Sequence, residues 1–226
     1  MSTRAKLLSA ISIIAILCFT FSANNAIGKP KTSIGPTDLR CEHMTNPSTV
    51  DNQHPRLSWI NIAADENAQG EYQSAYQIQV ASTAKKLEKG KADIWDTGKV
   101  SSQESYLIDY AGKPLQSGLD YYWRVRVWDK DGKASNWSEP AHWGMGLLTQ
   151  EEWKAQWIGS SFSSDEGLDA APLYRKTFTL NGKKIAKAKA FVSGLGFFEL
   201  YVNGKRVSDD CLVPGISNFS HRPLLS

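Results

Sequence analysis

The segment from Tyr121 to Trp128 constrains the fold most strongly, because its side chains alternate in type along the chain. One set of alternate positions is apolar, and it consists of Tyr121, Trp123, Val125 and Val127. The positions between them carry Tyr122, Arg124, Arg126 and Trp128. A period of two is the geometry of a β-strand with one face in a core and one face near water. The segment therefore predicts a strand of a β-sandwich.

Residues 36–148 repeat this pattern in short form and show almost no helical periodicity. Apolar runs recur between turn signals at Arg56–Trp59, Ala75–Ala81, Ser105–Ile108 and Ala141–Gly146. Asp129-Lys130-Asp131-Gly132 predicts a hairpin turn. A calcium loop of twelve residues is disfavoured, because it would need a third acidic residue and a distal Glu that this segment lacks. Short strands separated by turns predict an all-β fold, an immunoglobulin-like or fibronectin-like sandwich.

Residues 173–226 predict the beginning of a second β-sandwich. Leu173–Leu180 is predicted to be its first strand, and Phe197 to Val202 alternates up to Asn203-Gly204, a dipeptide typical of a two-residue hairpin turn. Two or three strands cannot bury both faces of a sandwich. We therefore expect an incomplete jelly-roll and a chain that forms the front of a larger protein. Residues 149–172 are predicted to be a linker, with Trp153 and Trp157 on one side of a helical turn.

The first residues have the three regions of a secretory signal peptide, predicted over 1–23. Arg4 and Lys6 precede an apolar run from Leu7 to Phe21, which is too short and wrongly flanked for a membrane span. A lipid anchor at Cys18 is disfavoured because Ile16-Leu17 supplies no small residue before it. Residues 24–35 are expected to be a flexible mature N-terminus. We expect an exported protein, periplasmic or extracellular, with no membrane span in its mature chain.

The charge balance gives no reason to expect a nucleic-acid partner. The chain has 26 basic and 23 acidic residues, a formal net charge of +3. Two of the basic residues and none of the acidic ones lie in the signal segment, so the mature charge is about +1. No basic stripe or recognition-helix pattern is present. Nucleic acid is therefore not predicted as a partner.

No catalytic, metal or cofactor site is predicted from the sequence. Cys41 and Cys211 lie in different predicted domains and could form a disulfide or stay as two reduced buried thiols. Neighbouring carboxylates, at Glu151-Glu152 and at Asp209-Asp210, point to opposite faces of a strand and cannot converge on one substrate. The histidines have no metal-ligand spacing; they are His43, His54, His142 and His221. Arg124, Arg126, Trp128 and Trp137 are predicted to stack on one outer face in a structural role.

Residues 36–148 resemble a fibronectin type III domain. Leu115 and Tyr121 have the spacing of its tyrosine corner, and Trp59 matches its core tryptophan. Trp137-Ser138-Glu139-Pro140 is similar to the segment that leads into its last strand. The resemblance implies that Trp59, Tyr121 and Trp123 hold the fold together.

The order of motifs resembles the amino-terminal part of secreted bacterial α-L-rhamnosidases, which are glycoside hydrolases. The similarity begins with Leu39-Arg40-Cys41-Glu42, followed by Asn46-Pro47, and continues with Pro55-Arg56-Leu57-Ser58-Trp59. It is strongest in Ser193-Gly194-Leu195-Gly196, Glu199 to Val207 and Leu212-Val213-Pro214-Gly215. The resemblance implies inverting hydrolysis of terminal rhamnose by acidic residues on a helical (α/α)₆ barrel. That barrel is not in this sequence, so no catalytic residue is assigned. A rhamnose-containing glycan would be bound through the missing domain, and these residues would be an inactive scaffold.

Two other classes of function stay open. In the first, the chain is a non-catalytic carbohydrate-binding module, with Phe197 and Tyr201 as an aromatic platform for a sugar ring. In the second, it is a structural surface protein with repeated fibronectin modules, although nothing in the chain repeats. In all three cases we expect residues 36–148 to fold alone, whereas the segment after Leu173 lacks partners for its apolar strands.

Overall fold

The structure is a computed structural model that describes residues 32–159, 171–180, 182, 184–185, 187–209 and 213. Ten strands, one short α-helix and one 3₁₀ turn are found in these residues, which confirms the all-β class. The strands of the first domain are β1 (Ile34–Cys41), β2 (Arg56–Ala63), β3 (Ala75–Ala81), β4 (Trp95–Asp96), β5 (Val100–Ser101), β6 (Ile108–Asp109), β7 (Asp120–Trp128) and β8 (Ala141–Gly144). The strands β9 (Tyr201–Val202) and β10 (Lys205–Arg206) form a separate hairpin.

The first eight strands form two antiparallel sheets that enclose one core. One sheet has the order β1-β2-β6, and the other has β4-β3-β7-β8, with β5 also paired to β3. Burial alternates along β7 as the sequence predicted, with Tyr121, Trp123, Val125 and Val127 inside. These side chains pack with residues of the facing sheet such as Leu57 and Trp59. The structure is therefore the predicted sandwich.

The tyrosine corner is also present. The hydroxyl of Tyr121 accepts a hydrogen bond of 2.9 Å from the backbone N–H of Gln116. Trp59 is buried, and its indole Nε1 donates to Gln73 Oε1 at 3.0 Å. A buried indole N–H needs such a partner. The alternation of apolar residues in the sequence does not reveal that Gln73 is this partner.

Strands β1, β4 and β5 and one helix of the first domain were not predicted. Strand β1 contains Gly35, Pro36 and Asp38, and its pairing to β2 shifts register between Thr37 and Arg40. Pro36 is tolerated because β1 lies at the edge of its sheet. Helix α1 (Ala84–Glu88) is capped by Thr83, whose side chain accepts from the Lys86 N–H. It has one buried residue, too few to produce a periodic pattern.

Two expectations about the second half of the chain are wrong. Leu173–Leu180 forms no strand, and its side chains are exposed, to 99% at Leu173. A strand needs a neighbour for its backbone hydrogen bonds, and the described residues supply none there. The linker has a 3₁₀ turn at Gln150–Glu152, but residues 153–159 are not helical. Trp153 ends that turn with extended backbone angles, so Trp153 and Trp157 do not share a helical face.

Candidate functional site

The two predicted sugar-contact residues lie on or beside the β9–β10 hairpin. Asn203 and Gly204 form its turn with φ values of 52° and 76°, as the Asn-Gly dipeptide predicted. Positive φ at both central positions gives the turn the twist of the strands that it joins. The hairpin places Tyr201 directly opposite Arg206.

Polar contacts link three side chains of the hairpin. The Tyr201 hydroxyl donates to Glu199 Oε2 at 2.7 Å, and Arg206 Nη2 lies 3.1 Å from Glu199 Oε1. The hydrogen bond to Glu199, followed by the charge of that carboxylate, raises the pKa of Tyr201. Tyr201 is therefore a neutral phenol at neutral pH, with its hydroxyl oriented by Glu199.

The aromatic platform predicted from Phe197 and Tyr201 is exposed in the structure. Phe197 is 52% exposed and Tyr201 is 54% exposed. Both belong to the alternate positions that also hold Glu199. The sequence analysis missed Arg206, although a two-residue Asn-Gly turn fixes the register that pairs it with Tyr201. Aromatic rings beside a carboxylate and a guanidinium can stack on a sugar face and hydrogen-bond to its hydroxyls.

Two grooves among the described residues do not supply a hydrolytic site. The first has a volume of about 500 Å³ and is lined by Ile94, Leu119 and Tyr122, with Asp120 as its one carboxylate. The second has Glu71 as its one carboxylate. Glycoside hydrolysis requires two carboxyl groups about 5 to 9.5 Å apart across the bond. Neither groove carries that pair.

The predicted Arg and Trp stack is confirmed on the outer face of the five-stranded sheet. Arg124 lies 4.4 Å from the ring centre of Trp137, and Arg126 lies 4.7 Å from the same ring. Arg126 also lies 5.0 Å from the ring centre of Trp128, and Lys99 Nζ lies 4.8 Å from the same ring centre. The guanidinium groups thus cover the ring of Trp137, which leaves that ring less available to a sugar than the rings of the hairpin.

A second polar layer lies under the stack and was not predicted. Gln79 Oε1 accepts from Arg124 Nη2 at 2.8 Å, while Gln77 Oε1 accepts from Arg126 Nε at 2.9 Å. The amide groups of both glutamines donate to the carboxylate of Asp96 at 2.6 and 2.8 Å. Burial opposes the charge of Asp96, but these hydrogen bonds outweigh it and the pKa of Asp96 is lowered. A network satisfied in this way has a structural role.

The remaining candidates have structural roles. Asp129 begins the predicted turn, in which the Gly132 N–H donates to the Asp129 carbonyl at 3.0 Å. Cys41 is a buried free thiol, and burial raises its pKa to about 12; Cys211 lies outside the described residues. Glu152 accepts from the N–H groups of Leu148 and Thr149. Across the described residues, no group of three or more His, Cys, Asp or Glu is placed to hold a metal ion.

None of the helices in the part of the chain that the structure describes is long and apolar enough to cross a membrane.

Comparisons with known proteins give consistent matches along the chain. Residues 36–149 match the model of the Rha78A-like, N-terminal immunoglobulin domain. Residues 183–226 match the alpha-L-rhamnosidase N-terminal domain. An alpha-L-rhamnosidase of Formosa agariphila is 34% identical over 95% of this chain and 24% of its own length. One from Alteromonas sp. (strain LOR) is 37% identical over 93% of this chain and 22% of its own length.

The solved structures agree with these matches. The alpha-L-rhamnosidase of Dictyoglumus thermophilum superposes with a TM-score of 0.73 at 36% identity, over 85% of this chain and 23% of that protein. The chain therefore spans about a quarter of the length of the relatives that it matches.

Proposed function

Because this chain belongs to the family of Rha78A-like N-terminal immunoglobulin domains, we propose that it serves as the non-catalytic β-scaffold of an α-L-rhamnosidase. The observation that carries the proposal is the order of two domain matches, at residues 36–149 and 183–226, within relatives that carry this name. The enzyme would remove terminal α-L-rhamnosyl residues from glycosides or polysaccharides. The inverting reaction uses one carboxylic acid to protonate the leaving oxygen and one carboxylate to activate water.

The scaffold role follows from the chemistry of the described residues. The two grooves described above hold one carboxylate each, and the Asp120 carboxylate contacts two lysines. The carboxylate of Glu199 is occupied by Tyr201 and Arg206. An acid and base pair for hydrolysis would therefore come from residues other than these.

Two measurements test this proposal together. The purified chain should not hydrolyse p-nitrophenyl α-L-rhamnopyranoside, because neither groove of the described residues carries the pair of carboxyl groups that hydrolysis requires. The coding DNA read past the codon for Ser226 should continue for several hundred codons with helical periodicity and clustered Asp and Glu. Hydrolysis by the chain itself would overturn the scaffold role, and a stop codon at that point would overturn the role within an enzyme.

We also propose a second candidate function, carbohydrate binding at the hairpin, which the exposure of Phe197 and Tyr201 supports. Binding of rhamnose to the chain would be measured by isothermal titration calorimetry at millimolar sugar. Tyr201→Ala should abolish it, whereas Tyr106→Ala should leave it unchanged, because Tyr106 is similarly exposed but lies in the first domain. An absence of rhamnose binding at millimolar concentration would contradict this function.

We propose further that residues 1–23 direct export and that the mature protein is periplasmic or extracellular. The proposal rests on the charged, apolar and small-residue regions of the N-terminus. Cell fractionation followed by mass spectrometry of the N-terminal peptide would test it. A cytoplasmic protein that retains residues 1–23 would contradict it.

A further inference from the structure

One end of the immunoglobulin-like domain carries a partly buried carboxylate that the sequence analysis did not single out. Asp120 is the first residue of β7 and pairs with Gly144, the last residue of β8. Its side chain is only 15% exposed. Gly118 precedes it with a φ of +73°, so the backbone turns sharply before the strand begins. A carboxylate in this position needs a partner with positive charge or with hydrogen-bond donors.

The partner is a segment of the second half of the chain. Lys189 Nζ lies 2.6 Å from Asp120 Oδ1, and Lys187 Nζ contacts Asp120 Oδ2. Lys187, Lys189 and Phe191 occupy alternate positions, the spacing that places side chains on one face of an extended chain. Ala188 and Ala190, between them, are exposed. The segment thus presents two ammonium groups and one aromatic ring to the same end of the domain.

Two glycines of the domain lie close to this segment. A Cβ atom added to Gly144 would clash with the backbone carbonyl of Ser48, and it would also lie 2.7 Å from Lys189 Nζ and 3.1 Å from Asp120 Oδ1. A Cβ atom added to Gly118 would lie 3.9 Å from the ring of Phe191. The ammonium group of Lys189 therefore lies against the backbone of β8, and the Phe191 ring lies over the turn before β7. Lys189 is only 21% exposed in this position.

The linker is attached to the same turn. The Leu148 N–H donates to Ser117 Oγ at 3.0 Å, and the Ser117 hydroxyl donates to Glu152. The linker thus contacts the first domain at Ser117 as it leaves the domain. The later segment 187–191 contacts the domain at Asp120, three residues from Ser117. Two separate segments are held by residues 117–120, which makes this turn the attachment point of the second half of the chain.

We propose that Asp120 is a positioning residue that fixes the segment 187–191, and the β-domain to which it leads, against the end of the immunoglobulin-like domain. The surface is formed by Gly118, Asp120 and Gly144, and it accepts a segment with alternate lysines followed by an aromatic residue. Desolvation lowers the pKa of Lys189, and desolvation followed by the charge of Lys189 lowers the pKa of Lys187. The inference rests on these contacts and is independent of the function proposed above.

Lysine footprinting of the full chain tests the contact. In the wild type, N-hydroxysuccinimide acetate should modify Lys189 at least about fivefold more slowly than the exposed Lys176, as quantified by mass spectrometry. Asp120→Asn should bring the two rates to within about twofold of each other. Asp109→Asn is the matched control, because Asp109 is an exposed carboxylate in the other sheet, and it should leave the ratio unchanged. Equal rates in the wild type, or a slow Lys189 in Asp120→Asn, would overturn the proposal.

A distance measurement tests the positioning role and remains informative if Asp120→Asn unfolds the domain. Spin labels at Ser101→Cys and Ala190→Cys, with Cys18 and Cys211 replaced by serine, should give one narrow distance distribution. Lys187→Ala combined with Lys189→Ala removes the same contacts without altering the sandwich, and it should broaden the distribution. A distribution that stays narrow in this variant, with unchanged near-ultraviolet circular dichroism, would overturn the role of Asp120.

Discussion

The carboxylate of Asp129 is buried at the turn after β7, where it ties the N-terminal end of the domain to this turn. Its Oδ1 accepts from the N–H groups of Asp131 and Lys133 at 3.0 and 2.9 Å. Its Oδ2 accepts from Thr32 Oγ1 at 3.1 Å and from the Ser33 N–H at 3.0 Å. Burial alone would raise the pKa of Asp129, but the hydrogen bonds outweigh burial and lower it. The sequence predicted the turn, but the contact with Thr32 and Ser33, nearly one hundred residues away, has no local signal.

Replacement of Asp129 by Asn should lower the free energy of unfolding of the domain by about 2 to 3 kcal/mol at pH 7. Both carboxylate oxygens accept hydrogen bonds, and in Asn one of them becomes an NH₂ group that faces the same donors and cannot accept from them. Asp131→Asn in the same turn is the control, since Asp131 is exposed and should change stability by less than about 0.5 kcal/mol. Urea denaturation followed by tryptophan fluorescence measures both. Equal effects of the two substitutions would contradict the assigned role of Asp129.

The lowered pKa of Asp129 also fixes the sign of a pH effect. A carboxyl group whose pKa is lower in the folded state adds stability above its unfolded pKa of about 3.9, and this stability is lost as the pH falls through the folded pKa. The wild type should therefore lose more stability than Asp129→Asn when the pH is lowered from 5 toward 2. Urea midpoints at several pH values measure the difference, and parallel pH profiles for the two proteins would contradict it.

At the scale of elements, the predictions succeeded where a strand carries its own pattern. Strand β7 was predicted because the alternation of its side chains and the Leu115 and Tyr121 spacing are both local. Strand β1 was missed because Gly35, Pro36 and Asp38 have low strand propensity, and pairing with β2 holds them in place. Leu173–Leu180 shows the opposite error, because an apolar run with strand propensity forms no strand without a neighbour. The same limit explains why Tyr201 could be named but its hydrogen bond to Glu199 could not.

The stack of Arg124 and Arg126 on Trp137, on the outer face of β7, should contribute to the free energy of unfolding. Trp137→Ala removes two contacts with guanidinium groups, each worth about 0.5 to 1 kcal/mol, so stability should fall by about 1 to 2 kcal/mol. Trp157→Ala is the control, because Trp157 is exposed in the linker and should cost less than about 0.5 kcal/mol. Thermal unfolding followed by circular dichroism measures the change. Full stability of Trp137→Ala would show that the stack is not structural.

At the scale of the whole molecule, the two halves of the chain differ in how much they bury. The first has one continuous core between two sheets, whereas Leu173 and Phe178 in the second are largely exposed. Amide hydrogens of β3 and β7 should exchange slowly, at rates set by global unfolding, because each of these strands has partners on both sides. Amides of residues 171–180 should exchange within seconds. Hydrogen exchange read by mass spectrometry distinguishes them, and strong protection of residues 171–180 would contradict this division.

The boundaries of the independent unit follow from the contacts at its ends. Thr32 and Ser33 bond to Asp129, and Glu152 caps the linker against Ser117, so a fragment of residues 32–152 keeps contacts that the predicted domain 36–148 would lose. The longer fragment should unfold in one cooperative transition. The shorter one should melt several degrees lower, because the buried Asp129 carboxylate loses the donors of Thr32 and Ser33. Each kcal/mol lost lowers the Tm of a domain of this size by about 4 °C. Differential scanning calorimetry of both fragments measures this, and identical melting temperatures would show that the terminal contacts do not contribute to the stability of the sandwich.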